Sequence, residues 1–210
     1  MTIGIYLLIL LALGYATVYL RERFVNWKIL KPITWLGIFI HEGCHAVACL
    51  VMGGRITGFR VTSTEGSVTH YWPKVPLLGP FAVAVAPLLG GLLILGAVNH
   101  FVWQDALNNA GGLATSLSSV WQLLTAFTWP SLVLLFFLLN VGVMIGPSLE
   151  DLKNIWPIIV LLLFLKNSGA TELLSLAIIL VFLNICFFLL FLLIKKIWNR
   201  WFARRKRNRI

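Results

Sequence analysis

The residues with the clearest chemical potential form the segment His41-Glu42-Gly43-Cys44-His45, which matches the pattern HExxH. On a helix, residues four positions apart share one face, so the imidazoles of His41 and His45 can bind one metal ion. In this pattern the metal is typically Zn²⁺, and the glutamate takes a proton from metal-bound water. Zinc lowers the pKa of that water to about 7, which makes hydroxide available at neutral pH. The pattern therefore predicts a Zn²⁺ site with His41 and His45 as ligands and Glu42 as general base.

A third protein ligand must come from elsewhere, because catalytic zinc sites usually have three. Glu150 and Asp151 follow a Gly146-Pro147 break at the end of an apolar run. Irregular backbone inside a membrane is tolerated where it lines a cavity or is buried in protein. We therefore predict Asp151 as the third ligand and keep Glu150 as an alternative. Ser148 and Asp151 also fit a helix capping box, which is the purely structural interpretation.

Three other side chains are weaker candidates for the third ligand. Glu65 lies twenty residues after His45, but in a predicted turn. His70 and His100 are expected near the membrane interfaces.

The composition excludes a water-soluble fold and intrinsic disorder. Hydrophobic residues make up 60% of the 210 residues, charged residues make up 11%, and the mean hydropathy is +0.92. Soluble domains have about 45–50% apolar and about 25% charged residues. The apolar runs are continuous, unlike the alternating strands of a membrane β-barrel. We expect an all-α polytopic membrane protein with about five to six transmembrane helices, forming one domain over residues 1–210.

The apolar runs give the expected elements. Full membrane spans are predicted at residues 3–20, 32–52, 77–98, 131–145 and 173–194. A shorter run at 155–165 suits a re-entrant or half-helix, and residues 99–130 suit a loop plus an interfacial or re-entrant helix. His41 lies ten residues after Lys31. At about 1.5 Å per residue this places it roughly 15 Å deep, near the middle of a core about 30 Å thick. Ionisable residues at that depth are functional by default.

A small β-hairpin is predicted directly after the HExxH helix. Residues 55–72 alternate between apolar and polar side chains, are rich in β-branched residues, and contain a turn around residues 64–66. Gly53-Gly54 joins this hairpin to the helix. A lone hairpin is marginally stable in water, so we expect it to pack against the helical bundle close to the metal.

The cations indicate topology rather than nucleic-acid binding. The net charge is +10, and eight of the 17 lysines and arginines lie in residues 195–210, where no acid accompanies them. Four more lie in residues 21–31. Both segments flank apolar runs, so the positive-inside rule places this connector and the basic tail in the cytoplasm. The bilayer is thus an expected partner and nucleic acid is not, while the oligomeric state is not predicted.

The order of these motifs resembles the site-2 protease family of intramembrane zinc metalloproteases, most closely its small members without a PDZ domain. The matching segments are the HExxH motif with Gly53-Gly54-Arg55, the Ala86-Pro87-Leu88 stretch, and Asn140 through Pro147 to Asp151. The resemblance implies that Asp151 is a ligand and that Asn140 holds the substrate or the oxyanion. In the family Asn-x-x-Pro usually precedes Leu-Asp-Gly closely, whereas Asn140 lies seven residues before Pro147 and Leu152 follows Asp151. A hydrogen bond from Asn140 to a neighbouring helix is the alternative.

These features favour an intramembrane zinc endopeptidase that cleaves transmembrane or membrane-proximal peptide bonds. A non-enzymatic zinc-binding membrane protein, either a transporter or a sensor, would use the same ligands but would not need Glu42. A catalytically idle scaffold that binds membrane partners is a third alternative, and the complete HExxH motif argues against it. We expect an unwound substrate strand to pair with an edge of the hairpin, because both have unpaired backbone groups, and the resemblance points the same way. The alternative is that the hairpin is only a connector or an interfacial plug.

Overall fold

The computed structural model describes residues 3–24, 31–62, 66–71, 75–76, 78–102, 113–162 and 171–207. Within these residues the chain forms seven helices and one two-stranded antiparallel sheet. In chain order the elements are α1 (Ile3–Phe24), α2 (Lys31–Val51), β1 (Arg55–Val61), β2 (Gly66–Tyr71), α3 (Leu78–Phe101), α4 (Leu113–Ala126), α5 (Trp129–Ile145), α6 (Leu149–Leu162) and α7 (Thr171–Arg207).

Four of the described helices are long and apolar enough to cross a membrane, namely α1, α2, α3 and α7. Helices α5 and α6 meet at a bend of 63° and count as a fifth span if they are taken together. The prediction of an all-α polytopic membrane protein with a small hairpin is confirmed. The prediction was five to six spans, and the value of five agrees with the structure if the bent α5–α6 pair counts as one span.

Local capping explains where several elements begin. Helix α5 begins at Trp129, two residues before the predicted start, because the Thr128 side chain accepts a hydrogen bond from Ser131 N and a proline occupies the first turn. Helix α6 begins at Leu149, so it contains the start of the short run predicted at 155–165 and extends it towards the N-terminus. Helix α4 provides the helix expected within 99–130, of which residues 103–112 lie outside the described residues.

The C-terminal basic segment continues the last membrane helix. Helix α7 runs without interruption to Arg207, which includes most of the predicted tail at 195–210. At about 1.5 Å per residue its 37 residues extend roughly 55 Å, well beyond a hydrocarbon core of about 30 Å. The basic residues of the tail up to Arg207 therefore lie on a helical extension of the span.

The hairpin forms as predicted, with one irregularity. Strands β1 and β2 pair antiparallel from Val61↔Gly66 to Arg55↔Tyr71, and a shift between Ile56 and Gly58 leaves an extra residue on β1. Both strands contact α2. The turn, including Glu65, lies outside the described residues.

Close backbone packing holds the α5–α6 bend within the bundle. A Cβ atom added to Gly14 of α1 would lie 2.8 Å from Pro147 Cδ, and one added to Gly37 of α2 would lie 2.5 Å from the Asn140 carbonyl oxygen. Asn140 adds an interhelical hydrogen bond, since its Oδ1 accepts from Gly37 N at 2.9 Å. Small residues permit such approach between membrane helices. The bend is thereby fixed beside the HExxH helix.

Candidate active site

The two histidines of the motif face each other on one side of α2. His41 and His45 are each 9% exposed, and their Nε2 atoms lie 3.0 Å apart. Their spacing of four residues accounts for this arrangement, because side chains one helical turn apart project from the same face. The local helix thus creates half of the predicted site without help from tertiary structure.

Backbone carbonyls from two other helices fix the orientation of both rings. His41 Nδ1 donates to the Met144 carbonyl of α5 at 2.6 Å, and His45 Nδ1 donates to the Val83 carbonyl of α3 at 2.7 Å. A carbonyl can only accept, so each Nδ1 carries a proton, and the neutral form of either ring has its lone pair on Nε2. Metal-binding histidines commonly have this outer partner on the second ring nitrogen. Both lone pairs therefore point into one small volume.

Asp151 completes the group from the first turn of α6. Its Oδ1 lies 3.4 Å from His45 Nε2 and its Oδ2 lies 3.7 Å from His41 Nε2. The residue is 6% exposed. His41, His45 and Asp151 each offer one ligand atom within 4.8 Å of the others, so the three can hold a metal ion. The fold brings together the three residues that the sequence analysis named as ligands.

Asp151 also caps its own helix. Ser148 N and Ser148 Oγ both donate to Asp151 Oδ2 at 2.8 Å, and Asp151 N donates to Ser148 Oγ at 3.2 Å. This is a reciprocal capping box in which an aspartate takes the place of the usual glutamate. The capping and ligand interpretations are therefore compatible, because Oδ2 receives the two hydrogen bonds while Oδ1 faces His45.

The described alternative ligands lie outside the metal group, although Glu150 and His70 line the cavity above it. Glu150 is exposed, and its carboxylate pairs with Lys153 Nζ at 3.0 Å. His70 is on β2, where its Nδ1 lies 3.3 Å from the Tyr71 carbonyl oxygen. His100 is exposed at the end of α3.

Asn140 is buried in the helix interface rather than in the metal group. Its Oδ1 is bonded to Gly37 N, and its Nδ2 donates to the Phe136 carbonyl at 2.9 Å. It does not line the cavity described next. In this structure its Oδ1 joins α5 to α2, and its Nδ2 bonds within α5.

A cavity of about 490 Å³ opens over the metal group. It is lined by residues of α2, the hairpin, α3 and α6, together with Ser148: His41, Glu42, His45, Thr57, Gly66, Ser67, Val68, Thr69, His70, Pro80, Val83, Ala84, Ser148, Glu150, Asp151 and Asn154. Its volume lies within the range of about 300–1,000 Å³ usual for ligand sites. The proposed base, both histidines and the acid thus share one cavity.

The position of Glu42 depends on a glycine in the hairpin. A Cβ atom added to Gly66 would lie 2.6 Å from Glu42 Oε1 and 2.7 Å from its carboxyl carbon. Any side chain at the start of β2 would therefore displace the carboxylate. No sequence pattern assigns this role to Gly66, because only the tertiary structure places β2 against α2.

A smaller cavity adjoins the same residues. It has a volume of about 180 Å³, and its walls include His41, Glu42 and Gly66 as well as Arg21 from the last turn of α1. From the sequence, Arg21 is one of the four cations in residues 21–31 that indicate topology. The fold also gives it a position next to the site.

Comparison with known proteins identifies the family. A sequence model described as Peptidase M50B-like matches residues 6–154. The chain belongs to this family. The match is to the site-2 protease family, so the resemblance to that family noted from the motifs is confirmed. The matched residues include every member of the metal group. No curated protein and no solved structure matches the chain.

Membership places the chain among multi-pass membrane proteins of a metalloprotease family. The matched region runs from α1 into the second turn of α6, and it contains the HExxH helix, the hairpin and the α5–α6 bend. The helices beyond it are α7 and the rest of α6.

Proposed function

We propose that this protein is an intramembrane zinc endopeptidase that cleaves transmembrane or membrane-proximal peptide bonds. The main support is the arrangement of His41, His45 and Asp151, in which two imidazole lone pairs and a carboxylate converge in a buried volume. Two lone pairs held 3.0 Å apart repel each other unless a cation or a proton lies between them. The family context favours a metal cation.

The spacing of the donor atoms fits zinc. Tetrahedral zinc with bonds of about 2.0–2.1 Å has ligand atoms roughly 3.3–3.4 Å apart. The nitrogen pair is at 3.0 Å, and the nitrogen–oxygen pairs are at 3.4 and 3.7 Å. Two histidines and one carboxylate leave a fourth position free, as in catalytic rather than structural zinc sites.

Glu42 is the proposed general base and acid. It follows His41 directly, lines the same cavity, and does not belong to the metal group. Zinc at this site would polarise the scissile carbonyl and acidify water. The Glu42 carboxylate would take the proton of the attacking water and then deliver it to the leaving amine.

Strand β2 is the proposed docking edge for the substrate. Five consecutive residues, 66–70, line the cavity. Side chains in a strand alternate between faces, so five consecutive lining residues indicate that an edge of the strand faces the cavity. A substrate helix must unwind to expose a carbonyl, and the unwound segment needs partners for its backbone groups. Adding it as a strand satisfies that need and brings its carbonyl towards the metal group.

We also propose that residues 21–31 and 195–210 lie on the cytoplasmic side. Both segments are rich in lysine and arginine, and both border membrane-crossing helices. The positive-inside rule then assigns the end of α1 and the end of α7 to the same side.

The decisive test compares cells that carry the wild-type protein with cells that carry Glu42→Gln. Membrane-protein fragments are quantified by mass spectrometry, and zinc is measured in both purified proteins. We expect specific fragments to disappear in Glu42→Gln while about one zinc per chain remains. Glu172→Gln, at the start of α7 and outside the family match, is the matched control and should retain the fragments.

The same experiment separates the rival functions. A zinc transporter, a zinc sensor or a catalytically idle scaffold would show no specific fragments in the wild type, and Glu42→Gln would leave a scaffold unaffected. Identical fragment profiles for wild type and Glu42→Gln would contradict the peptidase proposal.

A further inference from the structure

The carbonyl that orients His45 lies inside a helix, where carbonyls normally have a partner already. Val83 belongs to α3, which runs from Leu78 to Phe101. In an α-helix the carbonyl of residue i accepts from the N–H of residue i+4. For Val83 that position is Pro87, which lies inside the same helix. Proline has no backbone N–H, so the helix leaves the Val83 carbonyl without its usual donor.

The proline ring has a second effect on the same atom. Inside a helix the ring clashes with the carbonyl of residue i−4 and pushes it away from its regular position. Val83 and Pro87 are both buried. A buried carbonyl without a partner is costly, since it loses its bond to water and gains nothing in return. His45 Nδ1 supplies the missing donor at 2.7 Å.

The partner of His41 is available for a related reason. Met144 lies in the last turn of α5, and the last four carbonyls of a helix have no intrahelical donor. The N–H four residues further on belongs to Ser148, which donates to Asp151 Oδ2 at 2.8 Å. Both histidines are therefore oriented by carbonyls that the regular helix pattern does not use. A helix end frees one of them, and a proline within a helix frees the other.

We propose that Pro87 is a positioning residue of the metal centre. It keeps the Val83 carbonyl free for His45 Nδ1, which holds the ring in the orientation and tautomer that present Nε2 to the metal. This role rests on the proposed metal site and concerns how tightly that site binds zinc. It explains why a helix in the middle of the bundle contains a residue that is unfavourable for helix formation.

Pro87→Ala tests the inference because it restores the N–H that competes for the Val83 carbonyl. The measured quantities are the zinc dissociation constant, obtained by chelator competition on the detergent-solubilised full chain, and the midpoint of unfolding of the metal-free protein. Loss of an outer partner of a metal-binding histidine weakens binding by about 10- to 100-fold. We expect a loss of that size together with an unchanged or higher unfolding midpoint, because alanine is the better helix former.

These two readouts separate positioning from packing. If Pro87 served only to shape α3, its replacement would change the unfolding midpoint and leave zinc affinity unchanged. Pro87→Gly restores the same N–H but does not favour the helix. We expect it to weaken zinc binding to the same extent as Pro87→Ala while lowering the midpoint. This second variant also keeps the test usable if either substitution impairs folding.

Pro157→Ala is the matched control. Pro157 lies within α6. The N–H that it lacks would donate to the carbonyl of Lys153, which is not a partner of either histidine. Zinc affinity should remain within about threefold of wild type. Visible absorption of the Co²⁺-substituted protein gives a second readout, since a rotated His45 ring changes the ligand field in Pro87→Ala and not in Pro157→Ala.

The outcomes distinguish this inference from the proposed function. If the wild-type protein binds no zinc, the metal site itself is wrong. The second case is that wild type binds zinc and both Pro87 variants have dissociation constants within threefold of the wild-type value. The Val83 carbonyl then accepts from both His45 Nδ1 and the restored N–H, and the positioning role is refuted.

Discussion

Replacing Asp151 with asparagine separates the two roles of this side chain. The carboxylate receives two hydrogen bonds from Ser148 on Oδ2, while Oδ1 lies 3.4 Å from His45 Nε2. Asparagine retains an oxygen that can accept from Ser148 but has no negative charge to offer a cation. Ser148→Ala does the reverse, because it removes the capping hydroxyl and leaves the carboxylate.

The expected magnitudes for the two variants do not overlap. Loss of a helix cap costs about 0.5–2 kcal/mol. With about 1.4 kcal/mol per factor of ten, the whole of that loss would weaken zinc binding by roughly 30-fold at most. Even outer partners of metal ligands contribute about 10- to 100-fold. A direct ligand should contribute more, so we expect Asp151→Asn to weaken binding by more than about 100-fold. Ser148→Ala removes the cap and one outer partner of the carboxylate, so we expect it to weaken binding by less than about 100-fold.

Competition with a chromogenic chelator on the solubilised protein measures both dissociation constants. Circular dichroism of the same samples checks that the helices persist. The ligand assignment fails if Asp151→Asn binds zinc within about 30-fold of wild type. In that case Glu150, which also lines the cavity, is the next ligand to test.

Three further expectations follow from the same geometry. His45→Ala should lose stoichiometric zinc, as measured by elemental analysis, because only two ligands remain; retention of a full equivalent would contradict the site. Successive N–H groups on a strand point in opposite directions, so of Ser67→Pro and Val68→Pro only one removes an N–H from the outer edge of β2. That variant should lower substrate cleavage while zinc remains bound, and unchanged cleavage in both would exclude this strand as the docking edge. Cysteine-accessibility labelling should place residues 21–31 and 195–210 on the same cytoplasmic side, and labelling on opposite sides would overturn the topology.

The sequence alone predicted the membrane class, most of the helices and, from local spacing, two of the three residues of the metal group. For the third it favoured Asp151 and left Glu150 open. These features depend on short-range patterns. Apolar runs long enough to cross a bilayer predict helices in any fold, and two histidines four residues apart share a helix face whatever surrounds them. The hairpin was also predictable, because alternating β-branched residues on either side of a turn encode a strand pair locally. Helix α6 was predicted too late in the chain, because its start depends on the Ser148–Asp151 cap rather than on hydrophobicity.

Only the tertiary structure decided how the remaining parts meet. Asp151 reaches the histidines because Gly14 and Gly37 let α1 and α2 approach the α5–α6 bend closely. The position of Asn140 in a helix interface likewise follows from packing, and the sequence left both of its roles open. The contact between the Val83 carbonyl and His45 cannot be read from the side chain of Val83. Pro87, four residues later, indicates only that this carbonyl lacks its usual donor within the helix. Patterns of a few residues fix what a helix presents on each face, whereas contacts between helices distant in sequence depend on how the whole bundle packs.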